Sequence, residues 1–283
     1  MMARITFVEV AMASSQTGKS IDGATLIARS LKSQGVDTMF GVVGFPVIPI
    51  ANAAQKEGID YYGFRNEQAA SYAAGAVGYL TGRPGACLAV SGPGMIHAIA
   101  GLSNAWSNRW PMLLLGGAND SYQNGGGAFQ EAPQIEAARP FVKYAARPDS
   151  IERTPYYIEQ AVRTSLFGTP GAVYLDLPND IITAEIEASE AVLPPCCPEP
   201  PRSLADPRAV ERALEALRSA ERPLVIVGKG AAYARAEDEV RRFIEATQLP
   251  FLPTPMGKGV MPDSHPLSVA SARSDALGGA DLV

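Results

Sequence analysis

The stretch GACLAVSGPGMIHAIAGLSNAWSNRWPMLLLGG, residues 85–117, decides the fold. Its first seven residues form a short, nearly unbroken apolar run, the pattern of a strand buried on both faces. A glycine-rich turn and a helix follow over residues 91–108, and PMLLLGG is then the most apolar strand of the chain. Strand, turn, helix and strand in that order make a parallel crossover, the unit from which α/β sheets are wound.

The same alternation extends in both directions. TMFGVVG, 38–44, reads as a strand, and FPVIPIANAAQKEG, 45–58, as a helix closed by Gly58. DYYGF, 60–64, is a strand, and the helix after Glu67 consists almost wholly of Ala, Gly, Ser and Tyr. Residues 151–168 read as a helix with Ser150 as N-cap and Gly168 at its end, and GAVYLDLP, 171–178, closes the series. The expected fold class is α/β, a doubly wound parallel sheet over residues 20–185.

The run PPCCPEPPRSLADP, 194–207, holds six prolines. A segment so rich in proline is stiff and cannot pair into a sheet, which predicts an interdomain spacer over 186–206. Beyond it, residues 207–283 repeat helix, strand, helix and strand, and GGADLV reads as the opening of another strand. So few strands leave an unpaired edge, so the expectation is a truncated second Rossmann-like α/β domain. Residues 1–19 read as a disordered extension, with an organelle presequence as the alternative.

Composition narrows the function classes. The 283 residues are 47% hydrophobic and 19% charged, enough to bury a core in each of two domains. A net charge of −5 supplies no excess of cations for phosphates and argues against a nucleic-acid partner. No apolar run reaches the length of a membrane span. Cys87, Cys196 and Cys197 have neither metal-site spacing nor a disulfide framework, which suits a reducing compartment. With His97 and His265 the only histidines, a zinc site is not expected.

Four features sit where ligands collect in parallel sheets, at strand ends. Glu67 stands between a strand and a thin helix. A glutamate there often only stabilises the helix dipole, but side chains this small also permit a second layer to come close. The turn at Gly44 and Pro46 and the turn Ser91-Gly92-Pro93-Gly94 bring bare backbone near any bound ring. In GGGAFQEAPQ, 125–134, Phe129, Gln130 and Glu131 offer an aromatic, an amide and an acid together. No Walker motif is present, so these turns are not a standard phosphate cradle.

Taken in order, GVVGFP, RNEQAA, SGPG and GAFQE resemble the N-terminal pyrimidine-binding domain of thiamine-diphosphate-dependent enzymes. YLTGRPGACLAVSGPGMIHA, AVRTSLFGTPGAVYLDLP, GKGAAYA and TPMGKGVMPDSHP further resemble the 2-hydroxyacyl-CoA lyases. The resemblance implies that Glu67 hydrogen-bonds the aminopyrimidine of thiamine diphosphate and favours the form that deprotonates its thiazolium. It implies that Gly44, Pro46, Ser91, Gly92, Pro93 and Gly94 line the cofactor and that Phe129 and Gln130 stand near the reactive carbon. Lys229, Gly230 and Arg273 are the residues it suggests for the CoA of an acyl-CoA substrate.

The implied reaction splits a 2-hydroxyacyl-CoA into formyl-CoA and an aldehyde, a step of fatty acid alpha-oxidation, in a homodimer or homotetramer. The family holds its diphosphate and Mg²⁺ through a C-terminal domain whose Gly-Asp-Gly motif does not occur here, so the chain alone is expected to be inactive and to hold no metal. Alternatives are an oxalyl-CoA decarboxylase, an acetolactate synthase-like enzyme, or a non-catalytic fragment that binds a partner. A peroxisomal location is implied by the resemblance alone, with the cytoplasm otherwise.

Overall fold

The computed structural model describes residues 20–283, and the extension expected over 1–19 lies outside the described residues. The chain divides into two compact units, the first running to Pro200 and the second from Pro201 to Val283.

In the first unit the strands are β1 (Ser20–Asp22), β2 (Thr38–Val42), β3 (Asp60–Gly63), β4 (Gly85–Ala89), β5 (Met112–Ala118), β6 (Tyr144–Ala146), β7 (Ala172–Pro178) and β8 (Glu185–Glu187). The helices are α1 (Gly23–Ser33), α2 (Ile48–Lys56), α3 (Glu67–Thr81), α4 (Pro93–Asn108), α5 (Gln134–Ala138), α6 (Thr154–Leu166) and α7 (Asn179–Thr183). Six strands form one sheet in the order β3-β2-β4-β5-β7-β6, every neighbour parallel. β4, β5 and β7 are buried at every position, as their unbroken apolar runs require. The strand-turn-helix-strand reading of residues 85–117 thus describes the centre of the sheet.

Two cores flank that sheet. On one face Ile27 of α1 packs with Ile50 of α2, Ile158 of α6, and Leu113 and Leu115 of β5. On the other, Ala70 and Ala74 of α3 and Met95, Ala98 and Leu102 of α4 pack on Cys87 and Leu114. The chain leaves β2 for the first face and β4 for the second, although these strands are neighbours. Their chains therefore leave toward opposite faces at the carboxyl ends, the switch point where such sheets bind ligands.

The small side chains of α3 serve a contact inside this unit. A Cβ at Gly78 would stand 1.8 Å from the Pro111 carbonyl oxygen, and one at Gly101 of α4 would stand 2.1 Å from Ser71 Oγ of α3. Close approach of α3 to α4 and to the lead-in of β5 is what these glycines permit.

Two local readings change. The helix expected from Ser150 starts at Thr154, with Arg153 before it and no side-chain cap; the Ser150 carbonyl instead accepts the Thr154 hydroxyl. The spacer expected over 186–206 is partly built into the first unit. β8 pairs antiparallel with β1, and Gln34 donates to the Pro195 carbonyl at 3.1 Å while accepting the Cys197 amide at 2.8 Å. Arg83 also donates to the Cys197 carbonyl at 2.9 Å, and Cys197 is fully buried. Proline leaves carbonyls without amides, and these side chains capture them.

The second unit contains α8 (Pro207–Ser219), β9 (Val225–Val227), α9 (Lys229–Tyr233), α10 (Glu237–Thr247), β10 (Phe251–Pro253) and α11 (Arg273–Gly279). β9 and β10 pair in parallel, and in place of the strand expected at GGADLV there is one isolated parallel bridge, between Pro223 and Leu282. Asp206 caps α8 by accepting the Ala209 amide at 3.0 Å. The core holds Val227, Ile244, Phe251, Val260 and Met261.

Candidate functional site

Glu67 is the first residue of α3, and Asn66 caps the helix by accepting the Ala69 amide at 2.9 Å. That cap fixes the direction in which the Glu67 side chain leaves the helix. Its carboxylate turns toward α4, where Oε2 lies 2.8 Å from His97 Nδ1. The side chain retains 17% exposure, so it is not sealed from solvent. A Cβ at Gly94 would stand 3.4 Å from Oε1 and only 2.4 Å from Val90 Cγ2, so position 94 accepts glycine alone. Beneath, burial first and the Glu67 carboxylate second push the Cys87 thiol well above its ordinary value, leaving it an inert core group.

The turn after β4 is tied to the loop after β5. Ser91 Oγ donates to Gln130 Oε1 at 3.2 Å, and the Gly92 amide donates to Gln134 Oε1 at 2.6 Å. Gly92 has φ +61° and Gln130 φ +57°, two residues held in the left-handed region where the loops meet. For Gln130 that conformation carries strain, which its neighbours must overcome. A Cβ at Gly92 would meet the Gln130 carbonyl at 2.6 Å.

Gly44 approaches the same turn, since a Cβ there would lie 2.7 Å from Val90 Cγ1. Pro46 presses on β5, 2.5 Å from where a Cβ would stand on Gly117. Phe45 meets Phe129 edge to face at 6.3 Å between centroids, and both rings are exposed. They line one side of an open cleft of about 440 Å³, with Asn119, Asp120 and Gln123 on its wall. Contacts thus bring Gly44 and Gly94 against Val90, Gly94 near Glu67, and Ser91 and Gly92 against Gln130, while of the expected site residues Phe129 lines the cleft.

Glu131 does not join them. Its carboxylate accepts the amides of Gly125 at 2.5 Å, Gly127 at 2.8 Å and Ala128 at 3.1 Å. The Gly125 amide foremost holds this acid below the usual carboxylate range. It staples its own glycine-rich loop rather than presenting an acid to a ligand.

Two residues of the site escaped the sequence reading. His97 lies thirty positions from Glu67 on another helix, and only tertiary packing pairs them. Gln134 ends the GAFQEAPQ motif yet is buried, donating to the Gly117 carbonyl at 2.9 Å and to Asp176 Oδ1 at 2.5 Å. Its sequence signal was a polar residue opening a helix at the end of a motif.

Lys229, Gly230 and Arg273 belong to the second unit. Lys229 and Gly230 open α9 directly after β9, and Arg273 opens α11. Nothing in the backbone fills the space at Gly230, where a Cβ would meet no atom within 4 Å.

An acid at a helix start, facing a glycine-lined turn at the switch point, fits the pyrimidine half of thiamine diphosphate. Among the described residues no cluster of three or more His, Cys, Asp or Glu side chains could hold a metal ion. No described helix is long and apolar enough to cross a membrane.

Comparison with known proteins agrees with this fold. Residues 21–137 match the N-terminal TPP binding domain of thiamine pyrophosphate enzymes, and residues 210–283 match the central domain of the same enzymes. The chain belongs to the thiamine pyrophosphate enzyme family. Within it, the chain is 54% identical over 270 residues to 2-hydroxyacyl-CoA lyase 1 of Mus musculus, covering 95% of this chain and 46% of that protein. It is 47% identical over 276 residues to 2-hydroxyacyl-CoA lyase of Arabidopsis thaliana, covering 95% and 48%. Oxalyl-CoA decarboxylase of Escherichia coli K12 is 45% identical over 268 residues, covering 93% and 47%. The chain spans about half the length of the curated relatives it matches.

Proposed function

We propose that this chain is the N-terminal portion of a thiamine-diphosphate-dependent 2-hydroxyacyl-CoA lyase, acting in fatty acid alpha-oxidation. The observation that carries the reading is the Glu67 carboxylate, set over Gly94 at the switch point of a pyrimidine-binding-type sheet. Greater identity to the mouse lyase than to the decarboxylase supports the choice of reaction.

When bound, thiamine diphosphate supplies the carbon nucleophile that this chemistry needs. The residues here have simpler tasks. Glu67 holds a ring nitrogen through a charge-assisted hydrogen bond. Gly92 and Gly94 let Gln130 and Val90 pack against the turn after β4, which sets the backbone that borders the ring. Gln130, oriented by Ser91, presents its amide to the oxygen of the acyl group. Phe45 and Phe129 shield the cleft from water on one side. Lys229, Gly230 and Arg273 meet the phosphates of CoA.

In this reading the diphosphate and Mg²⁺ are bound by the part of the relatives that extends past the matched region. A second copy of the chain completes the site as a homodimer or homotetramer, and the protein works in the peroxisome. The test is turnover of 2-hydroxyacyl-CoA and oxalyl-CoA by this chain joined to a relative's C-terminal half. Formyl-CoA and an aldehyde are the expected products of the first, and preferential turnover of oxalyl-CoA refutes the lyase assignment.

A further inference from the structure

His97 opens the second turn of α4, and its Nδ1 lies 2.8 Å from Glu67 Oε2. An ionised carboxylate only accepts hydrogen bonds, so the ring nitrogen facing it carries the hydrogen. In a neutral imidazole this is the Nδ1–H tautomer, with the lone pair on Nε2. The other histidine of the chain is arranged the opposite way. The Leu267 amide donates to His265 Nδ1 at 3.2 Å, so there Nδ1 bears the lone pair and Nε2 the hydrogen.

The two oxygens of Glu67 are thereby distinguished. Oε2 is occupied by His97, whereas Oε1 lies 3.4 Å from where a Cβ of Gly94 would stand, on the side of the turn after β4. A carboxylate held at one oxygen cannot swing about its last torsion, and its other oxygen points in one direction.

We propose that His97 is a positioning residue for Glu67: through its Nδ1–H it holds Oε2 and leaves Oε1 as the oxygen that meets a heterocyclic ring nitrogen. The second half of this statement rests on the cofactor reading above, while the tautomer and the pairing stand on the geometry alone. An Oε1 oriented before the ring arrives spares the entropy of ordering a glutamate side chain during binding.

Long-range ¹H–¹⁵N spectra of the full chain, carrying ¹⁵N-histidine at about pH 8.5, above the ordinary imidazole range, resolve just these two rings. The expected result is His97 as Nδ1–H and His265 as Nε2–H. Glu67→Ala, which removes the acceptor, then moves the His97 ring nitrogens toward the Nε2–H pattern and leaves those of His265 in place. His97 as Nε2–H in the unsubstituted chain overturns the proposal, whether or not the variant folds. A His97 pattern indifferent to Glu67→Ala overturns it too. Addition of thiamine diphosphate and Mg²⁺ to the chain joined to a relative's C-terminal half separates the two readings. Movement of the His97 signals alone supports both, and their failure to move rejects the cofactor while the pairing survives.

Discussion

Gln134 Nε2 stands 2.5 Å from Asp176 Oδ1, and both side chains are buried beneath the turn that follows β4. The same side chain accepts the Gly92 amide through its oxygen, so it connects the turn after β4 to the centre of β7. Asp176 is fully buried and is completed by Arg147, whose guanidinium lies 2.5 Å from Oδ2. Tyr174 shares the network through its hydroxyl, and burial raises that phenol well above its ordinary value. A buried polar network of this kind contributes to stability only while every member is satisfied.

Removing one partner is therefore costly. Arg147→Leu leaves the Asp176 carboxylate buried without its counter-ion and should destabilise the first unit by about 3 kcal/mol. Gln134→Leu strands the Gly92 amide, removes the donor shared by the Gly117 carbonyl, Tyr174 and Asp176, and should cost about 2 kcal/mol or more. Urea unfolding of the two variants checks both figures, and a loss below ~0.5 kcal/mol for either excludes this role.

Two glycines on one helix predict opposite outcomes. Gly78→Ala drives a Cβ to 1.8 Å from the Pro111 carbonyl and should destabilise by at least about 2 kcal/mol, because backbone must move. Gly75→Ala meets only ordinary contacts, the nearest at 3.5 Å from Trp110, and should gain up to about 1 kcal/mol from helix propensity. Thermal melts of the pair decide the matter, since equal effects would mean that α3 is not held by close approach.

The Glu131 staple gives a pH dependence. Its acid is held below the ordinary glutamate range in the folded loop, so the contribution to loop order is complete above that range. It is lost as pH falls through the lowered folded value. The Gly125, Gly127 and Ala128 amide resonances should shift together over that fall, and Glu131→Gln should remove the transition. Amides that titrate at the ordinary glutamate value would contradict the staple.

Glu67→Gln in an enzyme completed by a relative's C-terminal half should lower turnover by about two orders of magnitude or more. Unfolding of the first unit should stay within ~1 kcal/mol, because the side chain is partly exposed and Asn66 still caps α3. Undiminished turnover would remove Glu67 from the chemistry.

Gln130→Glu tests the substrate side. The amide that faces Ser91 becomes an acid beside the acyl group, which should shift the ratio of 2-hydroxyacyl-CoA to oxalyl-CoA turnover by about tenfold or more. Competition between the two substrates measures that ratio directly. An unaltered ratio would assign specificity elsewhere in the cleft.

The sequence alone determined the parallel α/β sheet, because strands buried on both faces must be written as unbroken apolar runs. It also determined which turns end at the carboxyl edge, since glycine and proline mark them locally. Only the tertiary structure decided the partners. It joined Glu67 to His97, drew Gln134 inward to Asp176, turned Glu131 back on its own loop, and clamped Cys197 against Gln34. Periodicity records how often a residue faces the core. A hydrogen bond between distant positions depends on two helices and a sheet arriving at one place, and no local pattern encodes that distance.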